Sequence, residues 1–258
     1  YPSVAPSTSS EPSMEAWIYD DFDGPALDEE CLWVLTGNTG CAMGIDVEQT
    51  EGKLKLTVPQ GATCGGTFSR RLRSLATLTG DFDVRANFDG VMWPSNNQVN
   101  VGFFVMRVDG TWPYVGMVYN GDTSSNQYYF RRPQLPDTNS PYSSASTKGT
   151  MRVERSGGNV VGKFLRDDGA WETVAEHDLG TGDVALMIQI WSDDTSFHAG
   201  SAYVANSMDP GVVVEFDDVT IHDAGTVSST CRTPSEHPSA SDWPTSQPSE
   251  SSYPSVAP

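Results

Sequence analysis

DFDVRANFDGVMWPSNNQVNVGFFVMRV, residues 81–108, is the stretch whose reading decides the fold. From Asp81 to Phe88 the apolar side chains Phe82, Val84, Ala86 and Phe88 take every second position, and Asp81, Asp83, Arg85 and Asn87 take the others. Successive side chains of a strand point to opposite faces, so this alternation predicts a β-strand with one face in a core and one in water. After a break rich in Gly, Pro and Asn, Gln98 to Val108 is again of strand length and rich in Val and Phe, which predicts a second strand.

The same pattern continues in both directions. KLKLTV (53–58), YVGMVY (114–119), QYYFRR (127–132), TMRVERS (150–156), NVVGKFLRD (159–167), WETVAEH (171–177), VALMIQIW (184–191), SAYVAN (201–206) and VVVEFDDVTI (212–221) are short segments, most of them closed by Gly, Asp, Asn or Pro. No stretch carries a convincing 3.6-residue period. Gly157-Gly158 and Asp168-Gly169 sit between three of these segments, as hairpin turns require, so residues 150–177 are expected to form a three-stranded meander. So many strands in one core predict an all-β fold of two stacked antiparallel sheets.

Composition sets the borders of that fold. Residues 1–13 and 226–258 consist largely of Ser, Pro, Thr, Glu and Ala, which bury too little apolar surface to offset chain entropy. They are read as extended or disordered linkers around a single β-sandwich spanning residues 14–225. The hexamer YPSVAP occurs twice, at Tyr1 to Pro6 and at Tyr253 to Pro258. The expectation is a tandem array in which folded units alternate with the same spacer, so that neighbouring copies of the repeat are partners.

The net charge is −19, with 34 acidic against 15 basic residues, so nucleic acid is not an expected partner, because phosphate binding needs clustered Lys and Arg. The four cysteines are widely spaced and form no CxxC pair, which argues against zinc. Two disulfides or buried free thiols are the alternatives, the first fitting a secreted, extracellular or cell-surface chain. If GIDVEQ (44–49) and KLKLTV pair about Thr50-Glu51-Gly52, Cys41 and Cys64 lie nearly opposite one another, which leaves Cys31 to pair with Cys231. No apolar run approaches the ~20 residues needed to span a bilayer, so membrane insertion is not expected.

WIYDDFDGPALDEECLW (17–33), VEQTEGKLKLTV (47–58), LTGDFDVRANFDGVMWP (78–94) and VEFDDVTIHD (214–223) together resemble the concanavalin A-like lectin/glucanase superfamily, in pattern and in order along nearly the whole core. The layout is most similar to laminarinase-like jelly rolls, in which the opening acidic segment and the closing strand lie side by side. The hydrolases of that group carry acids on alternate positions of one inner strand, because a nucleophile and an acid/base must project from one face about 5 Å apart. Between Gly90 and Val108, where that strand is expected, no acidic residue occurs and VNVGFFV takes the place. A lyase on this fold would need a Tyr or His base and a neutralising Arg; SRRLRS (69–74) is similar to such an arginine strand, but the partner histidine motif is missing.

The resemblance also implies a calcium site formed by Asp21 of the opening segment, a carbonyl at Gly52 and Asp217 of the closing strand, with Asp20 or Asp218 as substitutes. The other reading of these aspartates is as turn caps and charges that keep an edge soluble. Trp93, Asn97, Trp112, Tyr114, Tyr119, Tyr128, Arg131 and Trp191 fall on segments that the resemblance places around a concave face, where rings stack on sugars and amides read hydroxyls. Core packing is the competing role for each aromatic. The expected function is a non-catalytic extracellular module, calcium-stabilised and binding polysaccharide or glycoprotein glycans. The alternatives are a purely structural filament subunit and a polysaccharide hydrolase or lyase.

Overall fold

The computed structural model describes residues 17–41, 44–59, 64–92, 99–108, 114–121, 126–132, 136, 138–144, 146–192 and 211–228. The expected N-terminal linker, the segment 201–206 and Cys231 lie outside these residues. Fourteen strands and no helix occur among the described residues. In chain order they are β1 (Trp17–Asp20), β2 (Trp33–Cys41), β3 (Asp46–Thr50), β4 (Lys53–Val58), β5 (Cys64–Met92), β6 (Val99–Arg107) and β7 (Tyr114–Gly121). β8 (Asn126–Arg131), β9 (Thr138–Ser144), β10 (Lys148–Ser156), β11 (Asn159–Leu165), β12 (Trp171–Asp178), β13 (Val184–Ser192) and β14 (Val212–Ser228) complete them.

The alternation at 81–88 is the second half of a strand of 29 residues. β5 pairs with β2 and β13 through its first half and with β10 and β14 through its second. It is therefore common to two layers. One layer runs β2-β5-β13-β6-β7-β8-β9, and the other runs β12-β11-β10-β5-β14, with β1 and β4 on the far side of β14 and β3 beyond β4. Near the middle of β5 the chain meets β14 closely: Gly80 has φ +79°, and a Cβ on Gly225 would lie 2.8 Å from the Thr79 carbonyl oxygen. A side chain at Gly225 would push β14 away from β5, and one at Gly80 would strain a backbone conformation that suits glycine.

The layers face each other with β10 over β6 and β7, β11 over β7, and β12 over β8. Between them lies one core, to which β5 gives Phe82, Val84, Ala86 and Phe88, β4 gives Leu54, Leu56 and Val58, and β6 gives Val99, Val101, Phe103 and Val105. The every-second-position spacing of all three sets is the period of the strand, and burying each of the larger side chains contributes about 1.5–3 kcal/mol. The expected meander is present as β10, β11 and β12. The expected hairpin is present as β3 and β4, with Glu51 and Gly52 at φ 53° and 73° in its two-residue turn.

β14 runs to Ser228, where it pairs with Thr77, so the folded unit extends three residues past the expected border at 225. The chemistry of Thr226, Val227 and Ser228 is that of the spacer, but β5 supplies a partner strand that composition cannot reveal. Cys41 and Cys64 are direct register partners of β2 and β5.

The opening segment is held by one buried carboxylate. Asp20 accepts hydrogen bonds from Trp33 Nε1 at 2.6 Å and from the Phe22 amide at 2.8 Å, the latter closing a turn in which Phe22 has φ 54°. Phe22 and Trp33 are wholly buried and stack at 6.2 Å, and Tyr19 meets Trp33 edge-on at 5.4 Å. Burial raises the Asp20 carboxyl pKa, the hydrogen bonds from Trp33 and Phe22 oppose that rise, and the net direction is upward. As pH rises past the unfolded carboxylate value of ~3.9, the unfolded chain gives up this proton before the folded one, so ionisation of Asp20 costs stability until the folded value is passed. Asp20→Ala leaves two buried donors without an acceptor and is expected to lower unfolding stability by about 2–4 kcal/mol in denaturant titration. Asp20→Asn retains one acceptor oxygen, and it is expected to lose less and to flatten the acid-side slope of stability against pH.

Candidate functional site on the outer face of the first layer

Opposite the main core, the first layer turns a second set of side chains outward, on the face that the resemblance makes concave. Register aligns them in rows across the strands. One row runs Ser69, Trp191, Asn100, Asn120 and Gln127, and the next runs Arg71, Gln189, Gly102, Val118 and Tyr129. A third holds Arg73, Met187, Phe104, Gly116 and Arg131. No aspartate or glutamate stands on the described strands of this face.

Asn100, Gly102 and Phe104 of β6 face outward. A Cβ at residue 102 would fall inside the Phe104 ring and 2.9 Å from Trp191 Cζ3. Glycine therefore leaves room for both rings against β6, and Phe104, Val118, Tyr129, Met187 and Trp191 form a small apolar cluster there, with Tyr114 packed against it. Phe104 meets Tyr114 at 5.0 Å and Trp191 at 5.8 Å. The Arg131 guanidinium lies over both Tyr114 and Trp191, 5.8 and 5.4 Å from the ring centres.

These placements revise the expected groove. Tyr114, Arg131 and Trp191 come together, but Trp191 is 3% exposed and serves as floor rather than as an open stacking surface. Tyr119 and Tyr128 belong to the main core. Tyr119 donates its hydroxyl to the Ser146 carbonyl, and Tyr128 stacks on Phe164 at 4.1 Å. They sit one residue away in phase from the outward positions Val118, Asn120, Gln127 and Tyr129, and a shift of one residue exchanges the faces of a strand. Trp93, Asn97 and Trp112 lie outside the described residues.

Polar groups that composition alone does not single out complete the face. Tyr129 donates its hydroxyl to Asn100 Oδ1 at 3.3 Å, and Gln189 donates through Nε2 to Ser69 Oγ at 2.9 Å. Gln189 Oε1, Asn120 Oδ1 and Arg71 Nε are buried without a hydrogen-bond partner among the described residues. Asn100 and Gln189 were each expected to be strand residues, but only the register shows them on one row system with three arginines.

The residues expected to hold calcium also come together, around the turn at Gly52. A Cβ there would stand 2.6 Å from Asp23 Oδ1 and 3.8 Å from the Asp21 carbonyl oxygen. Asp21 Oδ1 accepts from the Asp23 amide at 3.1 Å, and a register shift in β14 between Asp217 and Val219 brings Asp218, with φ 24°, into the same neighbourhood. Burial first, and then the charges of Asp217, Asp21 and Asp23, raise the Asp218 carboxyl pKa. Among the described residues no three His, Cys, Asp or Glu side chains converge as a ready-made metal cage. Asp21, Asp23 and Asp217 stand near enough to Asp218 for their charges to act on it, an accumulation of hard oxygen donors at one end of the fold. Asp20 is no substitute, because Trp33 and Phe22 occupy it.

The second layer carries its own polar face. A cavity of about 350 Å³ there is lined by Lys53, Asn87, Asp89, Lys148, Thr150, Glu215 and Asp217. Within it Lys53 pairs with Glu215 at 2.8 Å, and Thr150 donates to Asn87 at 2.8 Å. Alongside, Asp83 receives Arg152 and Arg85. Burial alone would raise its carboxyl, but these hydrogen bonds hold it below the ordinary range.

No protein-family model matches the chain, and no curated protein matches it. Solved structures do. SCLam, a non-specific endo-β-1,3(4)-glucanase from family GH16, superposes with a TM-score of 0.57 at 12% identity over 86% of this chain and 93% of its own. The chain has the concanavalin A-like jelly-roll fold. A β-glucanase of Bacillus licheniformis matches with a TM-score of 0.51 at 16% identity, over 80% of this chain and 97% of the glucanase. Lectin I-B4 of Griffonia simplicifolia matches with a TM-score of 0.50 at 10% identity, over 83% and 99% of the two chains.

Gly102→Ala forces the Phe104 ring and the Trp191 ring away from β6, at a cost of about 1–3 kcal/mol for overpacking. The expected signature is a lower thermal midpoint with a changed tryptophan emission, and an unchanged midpoint would refute the packing described.

Proposed function

We propose that this chain is an extracellular, non-catalytic glycan-binding module, stabilised by calcium and used in adhesion or cell-surface assembly. The observation that carries this reading is the outward face of the first layer. Its polar row crosses five strands, Tyr114 and Arg131 stand beside it, and Phe104 and Gly102 stand where a hydrolase of this architecture would need carboxylates. Ser69, Asn120 and Gln127 are the partly exposed members of that row, and amide and hydroxyl groups suit sugar hydroxyls. The jelly rolls that superpose on the chain include proteins described as glucanases and as a lectin, which favours a carbohydrate ligand.

The two YPSVAP hexamers support repetition of the module along one chain, and repetition would raise avidity for a polymer without any new contact. Calcium at Asp21, Gly52 and Asp217 would tie the opening segment to the β3-β4 turn and to β14. A disulfide between Cys41 and Cys64 would clamp β2 to the start of β5; their register partnership supports it. Peptide mapping without reductant is expected to recover these two cysteines in one linked pair, and recovery of both as free thiols would dismiss the bond.

A second reading has one observation in its favour. Arg71, Gln189, Asn100 and the Tyr129 hydroxyl share adjacent rows, the kinds of group that a β-eliminating lyase uses to neutralise an acid sugar and remove its proton. The deciding experiment is retention of the full chain on immobilised polysaccharides, with calcium and with EDTA, while the supernatant is assayed for reducing ends and for unsaturated uronate absorbance. Retention without released sugar, together with a thermal midpoint that calcium raises in the parent chain but not in Asp217→Asn, is the expected result. Released reducing ends or unsaturated product would establish an enzyme instead. Failure to bind any polysaccharide would leave the structural filament subunit as the better reading.

A further inference from the structure

The charge of the first layer's outer face runs against the charge of the chain. The protein carries −19 overall, yet the described strands of this face bear Arg71, Arg73 and Arg131 and no acid. On the second layer several arginines are neutralised at close range: Arg85 and Arg152 by Asp83, Arg152 also by Glu154, and Arg166 by Asp168 and Glu172, while the buried Arg155 is held by the Gly80 and Gly182 carbonyls. Arg71 and Arg73 form no ion pair among the described residues, although acidic side chains outnumber basic ones by more than two to one in the sequence. Arg73 is exposed, and Arg71 is half-buried with Nε lacking an acceptor.

The two arginines occupy successive outward positions of β5, in rows next to each other, so their guanidinium groups stand along one strand edge of the polar row. Beside Arg71 lies Gln189, which is 3% exposed and whose Oε1 has no partner. Arg131 stands across the face on β8, in the same row as Arg73, braced by Tyr114 and Trp191. A planar guanidinium offers paired N–H groups that match a carboxylate or a sulfate ester.

We propose that this face takes a polyanionic glycan, with Arg71 and Arg73 receiving its carboxylate or sulfate groups while Asn120 and Tyr114, both partly exposed, meet the sugar. The proposal rests on the glycan-binding reading above and narrows it to acidic polymers.

The test compares retention of the full chain on a polyuronate, a sulfated galactan, a neutral β-glucan and polyphosphate across a salt series, for the parent chain and for Arg71→Gln, Arg73→Gln, the double variant, Arg71→Lys and Lys148→Gln. Expected is retention on one or both acidic polysaccharides that weakens with salt, falls roughly tenfold in the double variant, is partly restored in Arg71→Lys and is unchanged in Lys148→Gln, whose side chain lies on the other layer. Preference for the polyuronate or for the galactan tells carboxylate from sulfate. Because Arg73 is exposed, Arg73→Gln keeps the test valid if Arg71→Gln fails to fold. Equal retention on the neutral glucan, indifferent to salt and to both arginines, overturns this proposal and leaves glycan binding standing. Retention on polyphosphate as strong as on the polysaccharides overturns it as well, since the face would then read charge without sugar. Absence of retention on every polysaccharide overturns the glycan reading itself.

Discussion

A single strand that belongs to two sheets is the constraint on which this molecule depends. β5 holds β2 and β13 against its first half and β10 and β14 against its second, so both layers are built outward from one continuous backbone. The ladder fixes which residues of the neighbouring strands stand opposite one another, and the period of two then fixes which face each side chain takes. Displacing β5 by one residue would send Phe82, Val84, Ala86 and Phe88 into water and Asp83 and Arg85 into the core. Gly80 and Gly225 permit β14 to follow β5 closely where the chain passes from one layer to the other.

The two outer faces that result are chemically different. On the second layer, charges alternate in sign along each strand and pair between neighbouring rows, as in the set formed by Asp83, Arg85, Arg152, Glu154 and Lys163. On the first layer, a small apolar floor of Phe104, Met187, Val118 and Trp191 carries arginines and amides whose hydrogen-bonding capacity is only partly used. The functional reading follows from this asymmetry more than from the aromatic residues, because the rings that look most like sugar platforms in the sequence are mostly packed away.

The opening segment shows the same economy in a smaller space. Asp20 and Asp21 are adjacent and chemically identical, yet Asp20 is buried under Trp33 and Phe22, while Asp21 faces water and joins Asp23, Asp217 and Asp218. The strand pairing of β1 with β14 separates their roles: it points one carboxylate inward, where it acts as an acceptor for buried donors, and leaves the other at the surface, where hard oxygen donors collect.

From the sequence, period-two patterning, Gly-bearing turns and the absence of any helical period were enough to read an all-β sandwich, the β3-β4 hairpin and the meander of β10 to β12, because these are local properties of the chain. The pairing of Cys41 with Cys64 in register was also legible, from the length of the hairpin between them. The first half of β5 was less so: arginines interrupt its apolar alternation, and their outward face matters only once β13 lies alongside. Tyr119 and Tyr128 could not be told from groove residues, since YVGMVY and QYYF are apolar or aromatic on both faces and pattern then loses its phase. Which of two identical aspartates is buried, which arginines lack a partner, and which amides share a row all depend on strands that are distant in sequence. Local alternation by itself determined that this chain forms strands and stacks them; long-range register, which sets the face and the neighbours of every side chain, was decided only by the tertiary structure.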